Sequence, residues 1–110
     1  MVEIDPDILD RLFSIIKKRK GADPEQSYVA RQFESGTTRI AQKVGEEAIE
    51  TALAAVNQDR DEVILESADL LFHLMMLWAD SDVEPADIYK ELVRREGISG
   101  LDAKRAGKGQ

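Results

Sequence analysis

Four acidic residues in this chain repeat one spacing. In "QKVGEEAIETAL", residues 42–53, Glu47 and Glu50 stand at i and i+3. In "ILESADLLFHLMML", residues 64–77, Glu66 and Asp69 do the same. On a helix each pair lies about 60° apart and shares one edge. Lys43 falls between Glu47 and Glu50, and Glu46 sits beside Glu50. Like charges at helical neighbours repel by a few tenths of a kcal/mol per pair, so something must offset the cost. Oxygen ligands of this kind suit a hard divalent cation that also holds waters and phosphates, and Mg²⁺ is the ion expected. An isolated E-x-x-E is usually a solvated helix face. The second pair is different, because Asp69 abuts the most apolar stretch of the chain, where an acid is rarely placed without a partner.

Two helices must carry these pairs. The longer of the central helical patterns starts near Thr37 or Thr38 and runs to about Val56, where "NQD" stops it. Asp59 followed by Glu62 resembles a capping box and opens the next helix, which extends to about Asp80. Consecutive helices joined by a short linker pack antiparallel and would bring the four acids together. His73 falls between Glu66 and Asp69 one turn on, and reads as a buried hydrogen-bonding residue rather than a ligand. A di-iron bundle is disfavoured, since it needs two E-x-x-H motifs and the chain has one His.

The remaining chain is also helical. In "DPDILDRLFSIIKKRKG" Asp5 is a cap, Pro6 the first helical residue and Gly21 the stop. Ser27 caps a short helix ending near Gly36, and Pro85 starts a last helix ending at Gly97. No stretch has strand periodicity. The expected fold is all-α, with about five helices in one domain over residues 1–110. The tail from about residue 98, which ends in "AGKGQ", is expected to fray.

The second half of the helix through residues 60–80 is apolar nearly all round, from Leu70 to Trp78. Such a helix must be covered all round, which predicts a homodimer built on it. Met75 and Met76 read as core fillers. Gly45 inside a helix costs about 1 kcal/mol against Ala, and marks either a close approach, room beside the acids, or a tolerated surface glycine.

Composition excludes several classes. The chain has 110 residues, 43% hydrophobic and 34% charged, with no Cys and a formal net charge of −7. No thiolate chemistry is available, and the acidic balance argues against nucleic-acid binding. No segment has the length to span a bilayer and the N-terminus lacks the features of a signal peptide, so a cytoplasmic location is expected.

The strings "SYVARQFESG", "IAQKVGEEAIETALAA" and "ESADLLFHLMML" resemble the phosphoribosyl-ATP pyrophosphatase family, within the all-α nucleotide pyrophosphatase superfamily that includes the MazG-type enzymes. The resemblance covers about residues 7 to 105. It implies a helical, dimeric, Mg²⁺-dependent enzyme of the second step of histidine biosynthesis. That enzyme cleaves the α–β phosphoanhydride of 1-(5-phosphoribosyl)-ATP, giving the monophosphate and pyrophosphate. The superfamily's metal motif falls on Glu47, Glu50, Glu66 and Asp69. Glu46 and Glu47 are the candidate proton acceptors. Lys43 is either a phosphate contact or an i, i+4 partner of Glu47. Arg31 and Arg39 are candidate substrate contacts, with "KKRK" at residues 17–20 and the tail's Lys104 and Arg105. Tyr28 and Trp78 are candidates for stacking on adenine, Trp78 fitting core or interface packing better. Val29 departs from the Thr expected after Ser-Tyr, and no cyclohydrolase domain precedes the chain, so the next pathway enzyme is expected to be separate. A house-cleaning NTP or dNTP pyrophosphatase would share every metal ligand, and a non-catalytic helical dimer would use the acids only structurally.

Overall fold

A computed structural model describes residues 4–98. They form α1 (Ile8–Arg19), α2 (Tyr28–Ser35), α3 (Thr37–Val56), α4 (Arg60–Asp80) and α5 (Pro85–Arg95), with no strand among the described residues. The all-α expectation holds, and the tail from residue 99, with Lys104 and Arg105, lies outside the described residues.

α3 and α4 form the largest helix–helix contact and make an antiparallel hairpin. Asp59 sets its geometry. The Asp59 N–H donates back to the Ala54 carbonyl at 3.0 Å and the Gln58 N–H to that of Ala55 at 3.0 Å, closing α3 with Gln58 in the left-handed region at φ 58°. The Asp59 carboxylate then accepts the Glu62 N–H at 3.1 Å and caps α4. One residue thus ends one helix and begins the next. At the far end Thr37 Oγ1 donates to Asp80 Oδ2 at 2.6 Å and fastens the start of α3 to the end of α4. The full reciprocal exchange expected at Asp59–Glu62 is half formed, because the Asp59 N–H is already used by α3.

Gly36 joins α2 to α3 at φ 95°, a conformation L side chains rarely adopt. Ser27 caps α2 as expected, its Oγ accepting the Ala30 N–H at 3.2 Å. The start of α1 differs from expectation. Residues 5–7 form a turn, and the helix begins at Ile8, because the Asp5 carboxylate is taken by Arg11 at 3.1 Å instead of capping the backbone.

Phe13 and Ile16 of α1, Val29 of α2, Ile40 of α3, and Met75, Met76 and Ala79 of α4 form the core. Val29 is therefore a packing residue. Met75 and Met76 fill the core as expected, and Trp78 packs half-buried against it. The second half of α4 is mostly covered within the chain. Large exposed apolar residues lie mainly on the first half of α4, at Ile64 and Leu65, and on the second half of α3, at Ile49, Leu53 and Val56, with Leu71 the one such residue in the second half of α4. The expectation that the end of α4 needs outside cover is corrected to that extent: α1 and α2 already cover it. Of the readings of Gly45, only a close approach by another helix of the chain is excluded. A Cβ built there meets no atom within 4 Å, so no neighbouring helix approaches it.

The basic run at the end of α1 complements the helix dipole. Lys17 pairs with Glu84 at 2.9 Å, and Lys20 reaches the Ala79 carbonyl at 3.4 Å, so part of "KKRK" ties α1 to the chain that follows α3. No helix of the described residues is long and apolar enough to cross a membrane.

Candidate metal centre

The hairpin brings the acids of both motifs together. One carboxylate oxygen each from Glu47, Glu66 and Asp69 lie within 4.8 Å of one another. Glu47 is buried, Glu66 half-buried and Asp69 exposed, so the group opens from the helix interface to solvent. Glu50 adjoins Glu66 closely enough to share a proton with it. That hydrogen bond, then burial, then the Glu50 charge, then Glu47, push Glu66 up to about 7. Glu50 and Glu66 also line an open cleft of about 270 Å³ with Leu53, Ala54, Asn57, Asp59 and Glu62.

Two atoms stand out in this group. Glu47 Oε2 and Glu66 Oε2 are buried and have no hydrogen-bond partner. A buried carboxylate oxygen without a donor costs more than a typical hydrogen bond contributes. A divalent cation is the partner that satisfies both at once, and all-oxygen ligation is what Mg²⁺ takes. The residues therefore fit such an ion.

The other predicted site residues surround these acids. Lys43 Nζ lies 3.3 Å from Glu47 Oε1 and 3.7 Å from Glu46 Oε1. Burial works to lower the Lys43 ammonium, but the hydrogen bond to Glu47, with Tyr28 and both glutamates, outweighs it and leaves the pKa raised. Glu46 is exposed, with Oε2 accepting from Gln42 Nε2 at 2.9 Å. That bond, aided by Lys43 and Arg39 against the opposing effect of burial, holds its carboxyl below the ordinary value. Arg39 is exposed one turn before Lys43 on the same helix face, and Arg31 is exposed on α2. Neither makes an ion pair among the described residues.

His73 is buried behind Asp69. Its Nδ1 is 2.8 Å from the Asp69 carbonyl oxygen, which can only accept, so Nδ1 carries the proton. In the neutral ring Nε2 is then an acceptor, and the Tyr28 hydroxyl, 2.9 Å away, donates to it. This contact links residues 45 apart in sequence, and periodicity along either helix gives no sign of it. Gln32, buried on α2 with an unpartnered Oε1, had no sequence signal either.

The comparisons with known proteins decide the family. The model of the phosphoribosyl-ATP pyrophosphohydrolase family matches residues 9–96. The chain is 54% identical over 106 residues to the phosphoribosyl-ATP pyrophosphatase of Azospirillum brasilense, covering 96% of each chain.

The chain belongs to the phosphoribosyl-ATP pyrophosphohydrolase family.

Two further relatives of the same name agree, from Paramagnetospirillum magneticum at 52% over 102 residues and from Rhizorhabdus wittichii at 56% over 98 residues. They cover 93% and 89% of this chain and 94% and 92% of the relatives. As a phosphoribosyl-ATP pyrophosphohydrolase family member, the chain has its two acidic motifs inside the matched region, on the two helices that pack most closely.

Proposed function

We propose that this chain hydrolyses the α–β phosphoanhydride of 1-(5-phosphoribosyl)-ATP to 1-(5-phosphoribosyl)-AMP and pyrophosphate, the second step of histidine biosynthesis. The observation that carries this reading is the match, across nearly the whole chain, to relatives bearing that activity in their names. The same match favours it over a house-cleaning nucleotide pyrophosphatase.

Glu47, Glu50, Glu66 and Asp69 are the residues we assign to hold Mg²⁺, on the strength of the two unpartnered buried oxygens. When bound, the ion would neutralise phosphate charge and acidify a water. The protein's own part is to fix this geometry and to take a proton. Water attacking a phosphorus must lose its proton to a carboxylate within reach. Glu46 lies outside the group of carboxylates that could hold the ion and is tied to Gln42 at 2.9 Å, whereas Glu47 belongs to that group. Glu47 is the acceptor we favour. Lys43 neutralises Glu47 and, with three donors, keeps one for a phosphate oxygen. Arg31 and Arg39, exposed and without ion pairs among the described residues, are the cations we assign to the outer phosphates.

A homodimer is part of the proposal. The exposed apolar residues of the hairpin, Ile49, Leu53, Ile64 and Leu65, support it, as a second copy would cover them. A single domain and a cytoplasmic location complete the reading.

The test is a substrate panel: pyrophosphate release from phosphoribosyl-ATP and from the common NTPs and dNTPs. Turnover confined to phosphoribosyl-ATP is expected. Faster turnover of ordinary nucleotides would move the chain to the house-cleaning branch.

A further inference from the structure

The acids and cations described above account for phosphates but leave the base of the nucleotide without a seat. Only one of the chain's six aromatic residues is exposed. Phe13 is buried, Phe33, Phe72, Trp78 and Tyr89 are half-buried, and Tyr28 is 42% exposed. Tyr28 is also joined to the acidic group through His73. Its hydroxyl bonds His73 at 2.9 Å, and His73 bonds the backbone of Asp69 at 2.8 Å. The Tyr28 hydroxyl is thus two hydrogen bonds from the backbone of Asp69, an acid of the second motif.

The ring is also held rigidly. Tyr28 stacks on Phe72 with centroids 6.4 Å apart and planes 22° apart. His73 stands edge-on to both, at 5.9 Å from Tyr28 and 5.6 Å from Phe72. A ring fixed by a stack, an edge contact and a hydroxyl bond has little rotamer freedom left to lose on binding. Burial of an apolar ring would ordinarily be completed, yet this one keeps a large part of its surface open beside a polar site.

We infer that Tyr28, held by His73 and Phe72, is the platform on which the purine base of the substrate stacks while the acids of α3 and α4 engage its phosphates. This rests on the pyrophosphohydrolase reading above. Stacking is tolerant of base identity, because every base has a π face. Tyr28 therefore supplies affinity for the base, and His73 is a positioning residue that acts through it.

The experiment compares wild type, Tyr28→Leu and Tyr28→Phe in turnover of phosphoribosyl-ATP, and in calorimetric binding of pyrophosphate with Mg²⁺, which has no base. Tyr28→Leu is expected to raise KM roughly ten- to hundredfold with kcat held within about threefold. Its affinity for Mg²⁺–pyrophosphate should equal wild type. Tyr28→Phe keeps the ring and should stay within about threefold of wild type in KM. An unchanged KM in Tyr28→Leu, or a parallel loss of Mg²⁺–pyrophosphate binding, would overturn the inference. So would a Tyr28→Phe variant as impaired as Tyr28→Leu, which would place the effect in the hydroxyl. A wild-type protein inactive on phosphoribosyl-ATP would instead sink the functional reading itself. Should Tyr28→Leu fail to fold, ring-labelled tyrosine in wild type decides, since the chain has two tyrosines. Saturating 1-(5-phosphoribosyl)-AMP should shift the Tyr28 ring signal and spare that of Tyr89, and a static Tyr28 signal overturns the inference.

Discussion

Glu47 on α3 and Glu66 on α4 bring carboxylate oxygens to within 4.8 Å of each other, and each has a buried Oε2 with no hydrogen-bond partner. In metal-free protein this pairing opposes folding, and a bound cation turns it into a source of stability.

Metal binding should therefore appear as thermal stabilisation. At Mg²⁺ one hundred times its Kd, a native-state ligand adds about 2.7 kcal/mol. Differential scanning fluorimetry with Mg²⁺ and with EDTA is expected to show the rise in wild type and to lose it in Glu66→Gln. The EDTA melting temperature of Glu66→Gln should equal or exceed that of wild type, because a repelling charge has been removed.

The sign of the pH dependence follows from Glu66. Its folded pKa of about 7 lies above its ordinary 4.5, raised first by the hydrogen bond with Glu50 and next by burial. The folded state thus favours the protonated form. That contribution to stability is fully present below 4.5 and is lost as pH rises through 7. In EDTA the melting temperature should fall between pH 4.5 and 7, with the fall reduced in Glu66→Gln. Mg²⁺ binding near pH ~6.5 should release a proton, seen by calorimetry in buffers of different ionisation enthalpy.

The two candidate proton acceptors should separate in kinetics. Losing a general base costs about 10²- to 10⁴-fold in kcat. Glu47→Gln is expected to reach or exceed that range, whereas Glu46→Gln, exposed and tied to Gln42, should lose less than about tenfold. Equal losses in both variants would contradict the assignment of Glu47.

Gly45 gives a stability prediction with no catalytic component. With no atom within 4 Å of the position a methyl group would take, Gly45→Ala gains helix propensity of about 1 kcal/mol without a clash. The melting temperature should rise by about 4 °C or more, with activity unchanged. A fall would mean that another chain packs on that face.

The exposed hairpin apolars predict the oligomeric state. Light scattering should give twice the chain mass for wild type, and Leu65→Glu, at a position 58% exposed within one chain, should shift it toward monomer. A monomeric wild type at micromolar concentration would contradict the dimer.

Much of this was legible in the sequence because the signals are local. Glu47 with Glu50, and Glu66 with Asp69, share an edge through helical geometry alone, and "NQD" with Asp59 marks the turn that sets the hairpin. The position of His73 one turn beyond Asp69 was readable for the same reason. Features built from distant contacts were not. Tyr28 meets His73 only when α2 packs beside α4, and Asp5 is diverted from capping by Arg11. Which half of α4 is covered depends on where α1 and α2 dock, a matter of tertiary packing that apolar periodicity does not specify. Gly45 is similar: the cost of a helical glycine is visible in sequence, but the open space around it is not.

The most direct test of the metal-centred account is pyrophosphate release from phosphoribosyl-ATP by wild type and Glu47→Gln, each with Mg²⁺ and with EDTA. The account predicts turnover only for wild type with Mg²⁺. Full activity of wild type in EDTA, or of a folded Glu47→Gln with Mg²⁺, would contradict it.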